Sequence, residues 1–124
     1  MSRYFPYAKW NPTKDYFPLP NELFSLGLTS GEIAVYSYLM YRENRKTYQC
    51  HPSYKTIGRA LRMSTNTVRK YVTSLEDKHL IHTENTTVTT HSGLRHNGCL
   101  KYTILPIDEA KTHFVERQLS LDHL

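Results

Sequence analysis

The stretch TIGRALRMSTNTVRKYVTSLEDKHLI, residues 56–81, has the pattern of two short helices joined by a tight turn. In its first part Ile57, Ala60 and Leu61 recur at helical spacing, which predicts a helix of about two turns with these side chains facing inward. Ser53 is a natural N-cap for this helix, because its hydroxyl can accept a hydrogen bond from an unpaired backbone N–H group. We therefore expect the first helix to begin directly after Ser53.

A second helix is predicted to begin after Ser64. Ser64 is again a natural N-cap, and Val68, Val72 and Leu75 follow at i, i+4 and i+7 as the inward side. The opposite face carries polar and basic residues, which are Thr65, Asn66, Arg69, Lys70 and Thr73. A face of this kind suits a groove of double-stranded DNA, where amide, guanidinium and hydroxyl groups can meet base edges.

Residues 57–68 resemble the helix-turn-helix motif of the winged helix-turn-helix DNA-binding proteins. The positions that match this motif in register are Ile57, Gly58, Leu61, Met63, Ser64, Thr67 and Val68. Residues 75–81, LEDKHLI, also resemble the end of a recognition helix that runs into the first wing strand. One departure is Arg62, which stands where the family usually has a turn glycine. An arginine with positive φ costs about 1 kcal/mol of strain, which leaves open a differently shaped turn.

A second stretch, residues 17–39, FPLPNELFSLGLTSGEIAVYSYL, indicates a smaller group within this family. They are similar to the lead-in of winged-helix proteins encoded on plasmids, phages and integrated elements of Gram-positive bacteria, some of which are replication initiators. The resemblance covers residues 17–104 and implies an α+β, mostly α, winged-helix fold. This fold has a three-helix core with the helix-turn-helix and a β-hairpin wing, here flanked by an N-terminal aromatic arm and a C-terminal helix.

The resemblance also implies which residues contact DNA. The second helix, residues 65–78, would enter the major groove with Thr65, Asn66, Thr67, Arg69, Lys70 and Thr73. Among these, Asn66 suits adenine, and Arg69 or Lys70 suits guanine. The expected phosphate contacts, which fix the register without reading sequence, are Ser53, Tyr54, Lys55, Arg59 and Ser64. For each residue, simple surface exposure is the alternative.

A β-hairpin is predicted after the second helix. Residues 81–90 form a Thr-rich, β-branched run, and residues 100–104 alternate between apolar and polar side chains. Between them HSGLRHNG, residues 91–98, has two glycines and an Asn-Gly pair as turn signals. In the winged-helix resemblance this hairpin is the wing, and its expected DNA contacts are His91, Arg95, His96 and Lys101. An ordinary flexible hairpin is the alternative.

Positive charge is concentrated on the same region. Residues 44–75 contain seven Lys or Arg and no acid, and residues 44–107 contain ten basic and three acidic residues. The rest of the chain has six basic and eight acidic residues, so the formal net charge of +5 comes from this region. Such a local surplus is the expected electrostatic footprint for phosphates.

The 124 residues have the length of one domain with flanking segments. We expect three parts, which are an arm at residues 1–28 packed on the domain, a winged helix-turn-helix domain at residues 29–105, and a C-terminal helix at residues 106–124. The arm contains four prolines and many aromatics, and it should end in a short helical turn at residues 21–28. Thr29 and Glu32 form a capping box for a helix over residues 32–43.

The C-terminal helix is a candidate for dimerisation. Asp108 can cap this helix after Pro106. Its apolar residues fall on two faces, with Ala110, Phe114 and Leu121 on or near one and Val115 and Leu119 on another. We hypothesise a homodimer formed through this helix. The alternative is that the helix folds back onto its own domain.

The histidines and cysteines do not form a metal-binding motif. The seven histidines show no HxxxH, and Cys50 and Cys99 are isolated. A strand at residues 48–50 paired with the last wing strand would bring Cys50 and His51 near Cys99, so a bound metal, a regulatory disulfide and two free thiols stay open. Free thiols are favoured, because reducing compartments keep isolated cysteines reduced. Glycine-rich phosphate loops, nucleophile elbows and paired acids are also missing, which predicts no enzymatic activity, no metal and no cofactor.

We predict a sequence-specific double-stranded DNA-binding protein, most simply a transcriptional regulator of a mobile or phage-derived element. Two alternatives stay open, a replication initiator or origin-binding protein of such an element, and a winged-helix module that binds a protein. No apolar run approaches the roughly 18 residues that span a bilayer, and the N-terminus lacks a signal-peptide stretch. We therefore predict a cytoplasmic protein without a membrane partner, and no small-molecule substrate is evident.

Overall fold

The computed structural model describes residues 15–89 and 95–122, with side chains at residues 15–86 and 100–121. This part of the chain forms one 3-10 helix, four α-helices and three β-strands. In chain order they are the 3-10 helix Asn21–Ser25, α1 Ser30–Arg42, β1 Gln49–Cys50, α2 Tyr54–Leu61, α3 Thr65–Asp77, β2 Ile81–Thr89, β3 Arg95–Ile104 and α4 Ile107–Asp122. The helix-turn-helix α2–α3 followed by the hairpin β2–β3 confirms the predicted α+β, mostly α, winged-helix fold.

Helix α3 packs its apolar side into the core as predicted. Val68, Val72 and Leu75 are at most 2% exposed and pack in one cluster with side chains of α1, α2 and the sheet. The largest core residues from other elements are Leu23, Tyr36, Leu39, Ile57, Leu80, Ile81 and Tyr102. Full burial of such a side chain stabilises the fold by about 1.5–3 kcal/mol, so α3 is held firmly by its inner face. Its outer face is left for other partners.

The inward face of α2 differs from the prediction. Ile57 is fully buried, but Ala60 is exposed, and Gly58 occupies the second buried position. The cause is the close crossing of the chain after the turn, because a Cβ on Gly58 would lie 2.5 Å from the Met63 carbonyl oxygen and 3.7 Å from Val68 Cγ2. Glycine permits this approach. The packed face of α2 is therefore rotated toward Gly58, and Ala60 faces solvent.

The predicted N-caps of the helix-turn-helix are confirmed. The Oγ atom of Ser53 accepts a hydrogen bond from the Thr56 backbone N–H at 3.0 Å, and Ser64 Oγ accepts one from Thr67 at 3.1 Å. Each cap satisfies one of the four backbone N–H groups that a helix leaves unpaired at its start. Both helices therefore begin where the sequence predicts.

The predicted capping box of α1 is present, although α1 begins at Ser30, two residues before the predicted range 32–43, and the predicted cap of α4 is wrong. At α1, the Thr29 hydroxyl accepts from the Glu32 backbone N–H at 3.2 Å, and the Glu32 carboxylate accepts from the Thr29 N–H at 2.8 Å. At α4, the helix begins one residue before Asp108, because the Pro106 carbonyl already accepts the Glu109 N–H at 3.0 Å. Asp108 lies in the first turn instead, where its negative charge complements the helix dipole.

The wing hairpin is longer than predicted. The sheet is antiparallel with the strand order β1-β3-β2, and β3 begins at Arg95 inside the segment assigned to the turn, residues 91–98. The predicted wing contacts Arg95 and His96 therefore lie on a strand, opposite Thr89 and Val88. His91 lies outside the described residues.

The Asn-Gly signal near the wing tip marks a β-bulge and not a turn. Asn85 pairs with Leu100, and the next registered pair is Thr87 with Asn97, so β3 carries one extra residue at positions 98 and 99. An extra residue of this kind bends its strand and often involves glycine. Asn-Gly occurs in both settings, and only the pairing partner distinguishes them.

The predicted arm is described only from residue 15 onward, so residues 1–14 lie outside the described part. Leu23, in the 3-10 helix that the sequence predicted as a short turn, is fully buried, and Leu26 is 6% exposed. The Phe17 ring lies 5.6 Å from the Tyr41 ring on α1. Across residues 15–89 and 95–122, none of the helices is both long and apolar enough to cross a membrane.

Candidate nucleic-acid interface

The outer face of α3 is open to solvent. Five of the six predicted base-reading residues are exposed, namely Thr65, Asn66, Arg69, Lys70 and Thr73. Thr67 is half-buried, and its hydroxyl accepts a hydrogen bond from Ser64 Oγ at 2.9 Å. Thr67 therefore helps to cap α3, and the accessible face consists of the other five side chains.

Arg69 is positioned by an aromatic side chain of α2. Its guanidinium carbon lies 5.7 Å from the centre of the Tyr54 ring, within the range of a cation–π contact. Burial raises the pKa of the Tyr54 phenol, the Arg69 charge opposes that rise, and Glu76 adds to it. Tyr54, predicted as a phosphate contact, is half-buried and forms a platform for Arg69. Such a platform reduces the side-chain entropy that Arg69 loses when it binds a ligand.

The seven cations of residues 44–75 are all exposed. They are Arg45, Lys46, Lys55, Arg59, Arg62, Arg69 and Lys70. Among them, Lys55 and Arg59 are the phosphate candidates on α2. The candidates Ser53 and Ser64 are exposed as well, but their hydroxyls take part in the caps of α2 and α3. The partial positive charge of these helix N-termini adds to that of the side chains.

Arg62 keeps the turn of the helix-turn-helix in a left-handed conformation. Its φ is 58° and its ψ is 49°, and its backbone N–H donates to the Gly58 carbonyl. The missing turn glycine therefore does not change the shape of the turn, although a side chain in this region of φ and ψ costs about 1 kcal/mol. The Arg62 side chain is exposed and adds a positive charge at the turn.

Replacing Arg62 by glycine should raise the free energy of unfolding by about 0.5–1 kcal/mol, because glycine adopts positive φ without strain. Arg59→Gly is the matched control, since Arg59 is exposed on α2 and glycine inside a helix should lower the free energy of unfolding by about 1 kcal/mol. Urea denaturation measures both variants. A loss of stability in Arg62→Gly would contradict the strain argument.

A buried carboxylate joins the recognition-helix candidate α3 to α1. The Glu32 side chain is 2% exposed, and its oxygens lie 2.5 Å from Ser74 Oγ and 2.8 Å from Lys78 Nζ. The sequence indicates a role for Glu32 only in the capping box, and it does not predict this link. Ser74 and Lys78 are four residues apart, so they share one side of the helix end, which is the only local signal for a common partner.

The contacts of Glu32 with Ser74 and Lys78, here called the Glu32 clamp, affect the pKa of the Glu32 carboxyl. Burial by itself raises the pKa of the carboxyl, but hydrogen bonds from Lys78, Ser74 and Thr29 outweigh burial and lower the pKa to about 2. The carboxylate is therefore ionised at neutral pH and paired with the Lys78 ammonium. The pairing of a buried carboxylate with several hydrogen-bond donors holds the end of α3 against α1, because the carboxylate has no access to water if these donors move away.

The wing is attached to α3 through a second carboxylate. Glu76 accepts hydrogen bonds from the Thr83 backbone N–H at 2.9 Å and from the Thr83 hydroxyl at 3.0 Å. Farther along the hairpin, the predicted wing contact Lys101 is paired across the strands with Glu84, with a nitrogen–oxygen distance of 3.2 Å. The charge of Lys101 is thus partly neutralised by Glu84.

Cys50 does not lie opposite Cys99. The predicted strand is present as β1, and it places Cys50 opposite Tyr102, three residues from Cys99 along β3. Burial, with a smaller effect of the Glu43 charge, raises the pKa of the Cys50 thiol to about 11, and Sγ contacts the Leu39 carbonyl oxygen at 3.7 Å. A thiol held protonated in this way is a poor nucleophile and a poor metal ligand.

Comparisons with known proteins agree with this geometry. Residues 26–81, which run from the end of the 3-10 segment to the first residue of β2, match the family model described as "Helix-turn-helix domain". A search of curated proteins finds no match. Among the solved structures that match is a possible transcriptional regulator from Methanosarcina mazei Go1, with a TM-score of 0.51 and 15% identity over 81% of this chain and 75% of that one. At that identity the likeness shows the fold. Residues 26–81 are therefore similar to a helix-turn-helix domain, and the described residues have a winged-helix fold.

Proposed function

We propose that this protein binds double-stranded DNA sequence-specifically and regulates transcription. The observation that carries the proposal is the outer face of α3, where five polar or basic side chains are exposed together on the second helix of a helix-turn-helix domain. The similar Methanosarcina protein is described as a possible transcriptional regulator, which supports the regulatory part. This function requires neither catalysis nor a cofactor.

In the proposed complex, α3 lies in the major groove. This groove is about 12 Å wide and admits one helix, so the exposed face meets the base edges. Arg69 can donate two hydrogen bonds to guanine, and Asn66 can pair with adenine. Lys55 and Arg59 on α2 contact the phosphates and set the register. Arg95 and Lys101 of the wing, with His91 and His96, extend the contact along the backbone.

Binding to DNA across a salt series tests the proposal. The purified protein is mixed with labelled random duplex and with duplexes selected from a random pool, and fluorescence anisotropy gives the affinity of each. Seven exposed cations lie in residues 44–75. If four to six of them contact phosphates, the slope of log K against log salt should be about −4 to −5. We also expect the selected pool to converge on one motif.

The outcome separates DNA binding from the alternative of a module that binds a protein. Steep salt dependence together with an enriched motif would support sequence-specific DNA binding. Steep salt dependence without enrichment would contradict the sequence-specific part of the proposal. No binding at about 50 mM salt would overturn DNA binding and favour an acidic protein as partner, because nonspecific affinity is greatest at low salt.

The proposal extends to the genetic setting, a mobile or phage-derived element. Its support is the resemblance of residues 17–39 to the lead-in of proteins from such elements. Footprinting on the DNA that flanks the gene distinguishes two roles. Protection of one operator that overlaps a promoter supports regulation, whereas protection of a series of iterated repeats supports replication initiation instead.

We also propose that the protein forms a homodimer through α4. Val115 and Leu119 are one helical turn apart, and each is more than half exposed. Two-fold dimers bind two half-sites about one turn of DNA apart, so a dimer would increase both affinity and specificity. Light scattering at tens of micromolar should give the mass of a dimer for the native chain and of a monomer for Leu119→Glu. A monomer mass for the native chain would overturn the dimer.

A further inference from the structure

A cavity lies between α4 and the end of the helix-turn-helix domain. Its volume is about 230 Å³, it is partly open to solvent, and it is lined by α4, residues 26–28 and the residues that follow α3. The apolar part of its wall is formed by Leu26, Leu28, Leu80, Ala110, Phe114 and Leu121. An apolar cavity of about 150 Å³ is large enough to bind benzene. This cavity therefore has room for an aromatic ring or a short branched chain with one polar group.

The polar groups at the cavity are basic. Arg117, His113 and Lys78 line it together with Gln118, and no acid is among the lining residues. The Lys78 ammonium is already paired with Glu32 at 2.8 Å. Among the side chains that the structure describes, at residues 15–86 and 100–121, no carboxylate is within salt-bridge distance of Arg117. Glu109 and Glu116 do not line this cavity, but both line a neighbouring depression with His113, and Glu116 lines another with Arg117.

We propose that this cavity binds a small organic anion, specifically a monocarboxylate with an aromatic or short aliphatic body. The apolar body occupies the space beside Phe114 and Leu80, and the carboxylate meets Arg117 at the rim. An arginine that has no carboxylate partner among the described side chains is well suited to a carboxylate ligand, because its planar fork donates two parallel hydrogen bonds. This site lies apart from the outer face of α3, and its existence does not depend on DNA binding.

The site is placed where a ligand affects both α4 and α3. Ala110 and Phe114 attach α4 to the domain, and a Cβ on Gly27 would lie 3.3 Å from the Phe114 ring. On the opposite wall, Lys78 ends α3 and belongs to the Glu32 clamp. A ligand that contacts both walls therefore stabilises the packing of α4 on the domain by mass action.

An NMR titration of the full chain with phenylacetate tests the proposal. 2-Phenylethanol is the neutral control, because an alcohol replaces the carboxylate on the same ring. We expect saturable amide shifts for phenylacetate at residues 26–28, 78–80 and 110–121, with a Kd of about 1 mM for a ligand of this size. The alcohol should bind at least about tenfold more weakly.

Two substitutions make the test specific. Arg117→Gln should weaken phenylacetate about tenfold without changing the binding of the alcohol, and Lys111→Gln, on the same helix but outside the cavity, should change neither. Ala110→Leu should fill the cavity and abolish the amide shifts caused by phenylacetate and by 2-phenylethanol. Its amide spectrum should remain that of a folded protein. No saturable shift at about 20 mM phenylacetate, equal affinity for the alcohol, or full binding by Arg117→Gln would each overturn the proposal.

Discussion

Replacing Glu32 by glutamine should lower the free energy of unfolding at pH 7 by about 2–4 kcal/mol. The substitution removes a carboxylate that is 2% exposed and pairs with Lys78, and it leaves the Lys78 ammonium without its partner. Loss of one member of a buried pair costs about 3–5 kcal/mol, and Lys78, with its side chain 25% exposed, recovers part of this cost through water. Chemical denaturation measures the difference.

The same clamp makes the stability depend on pH. The Glu32 pKa is lowered from 4.5 to about 2 on folding, so its contribution is fully present above pH 4.5 and is lost as the pH falls through 2. This difference in pKa corresponds to about 3 kcal/mol. In the native protein, the free energy of unfolding should therefore decrease between pH 4.5 and pH 2, and in Glu32→Gln it should decrease less.

Glu22→Gln is the control for both measurements. The Glu22 side chain is 44% exposed and its Oε1 lies 3.9 Å from Lys111 Nζ, so its loss should change the free energy of unfolding by less than about 0.5 kcal/mol and leave the pH profile unchanged. If Glu32→Gln and the native protein lost stability equally between pH 4.5 and pH 2, Glu32 would not be the group that titrates. A decrease of less than about 1 kcal/mol in the free energy of unfolding of Glu32→Gln at pH 7 would contradict the first prediction.

Arg69→Ala should weaken binding to the preferred DNA site by about 1–3 kcal/mol, or roughly 5- to 150-fold, with little change on random DNA. The reason is that a bidentate contact to guanine contributes only when the right base is present. Lys55→Ala is the matched comparison, because a phosphate contact weakens both DNAs alike and flattens the salt slope by about one unit. Anisotropy on the two duplexes measures all four affinities.

The Tyr54 ring provides a second variant pair for the same prediction. Tyr54→Phe keeps the aromatic platform under Arg69 and should leave specific binding nearly unchanged, whereas Tyr54→Leu removes the cation–π contact and should weaken it severalfold. Arg69→Lys should not restore full specificity, because an ammonium lacks the planar fork. Equal losses on preferred and random DNA for Arg69→Ala would exclude a base-reading role for this residue.

The predictions that succeeded depend on local physics. The caps at Ser53, Ser64 and Thr29 require only that a hydroxyl lies three residues before a backbone N–H group, which the sequence shows directly. The spacing of Val68 and Leu75 likewise reports the inner face of α3, because helical periodicity is local. The outer face of α3 follows from the same periodicity.

The predictions that failed depend on contacts between separate segments of the chain. Ala60 was placed inward by periodicity, but the approach of the Met63 carbonyl to Gly58 rotates the packed face. The bulge in β3 depends on its register with β2, and an Asn-Gly pair alone does not reveal a register. The start of α4 was displaced by one residue, since the Pro106 carbonyl begins its hydrogen-bond ladder.

The caps and the exposed face of α3 can be predicted from the sequence, because each depends on residues within one or two helical turns of each other. The positive charge of residues 44–75 follows from their composition alone. The contacts of Glu32 with Ser74 and Lys78, 42 and 46 residues away, follow from the fold and cannot be read from the sequence. The same is true of the contact between Tyr54 and Arg69. The cavity beside α4 also depends on contacts between segments that are far apart in the sequence. Contacts between distant segments depend on how the helices cross, and helix crossing is set by packing of the whole core.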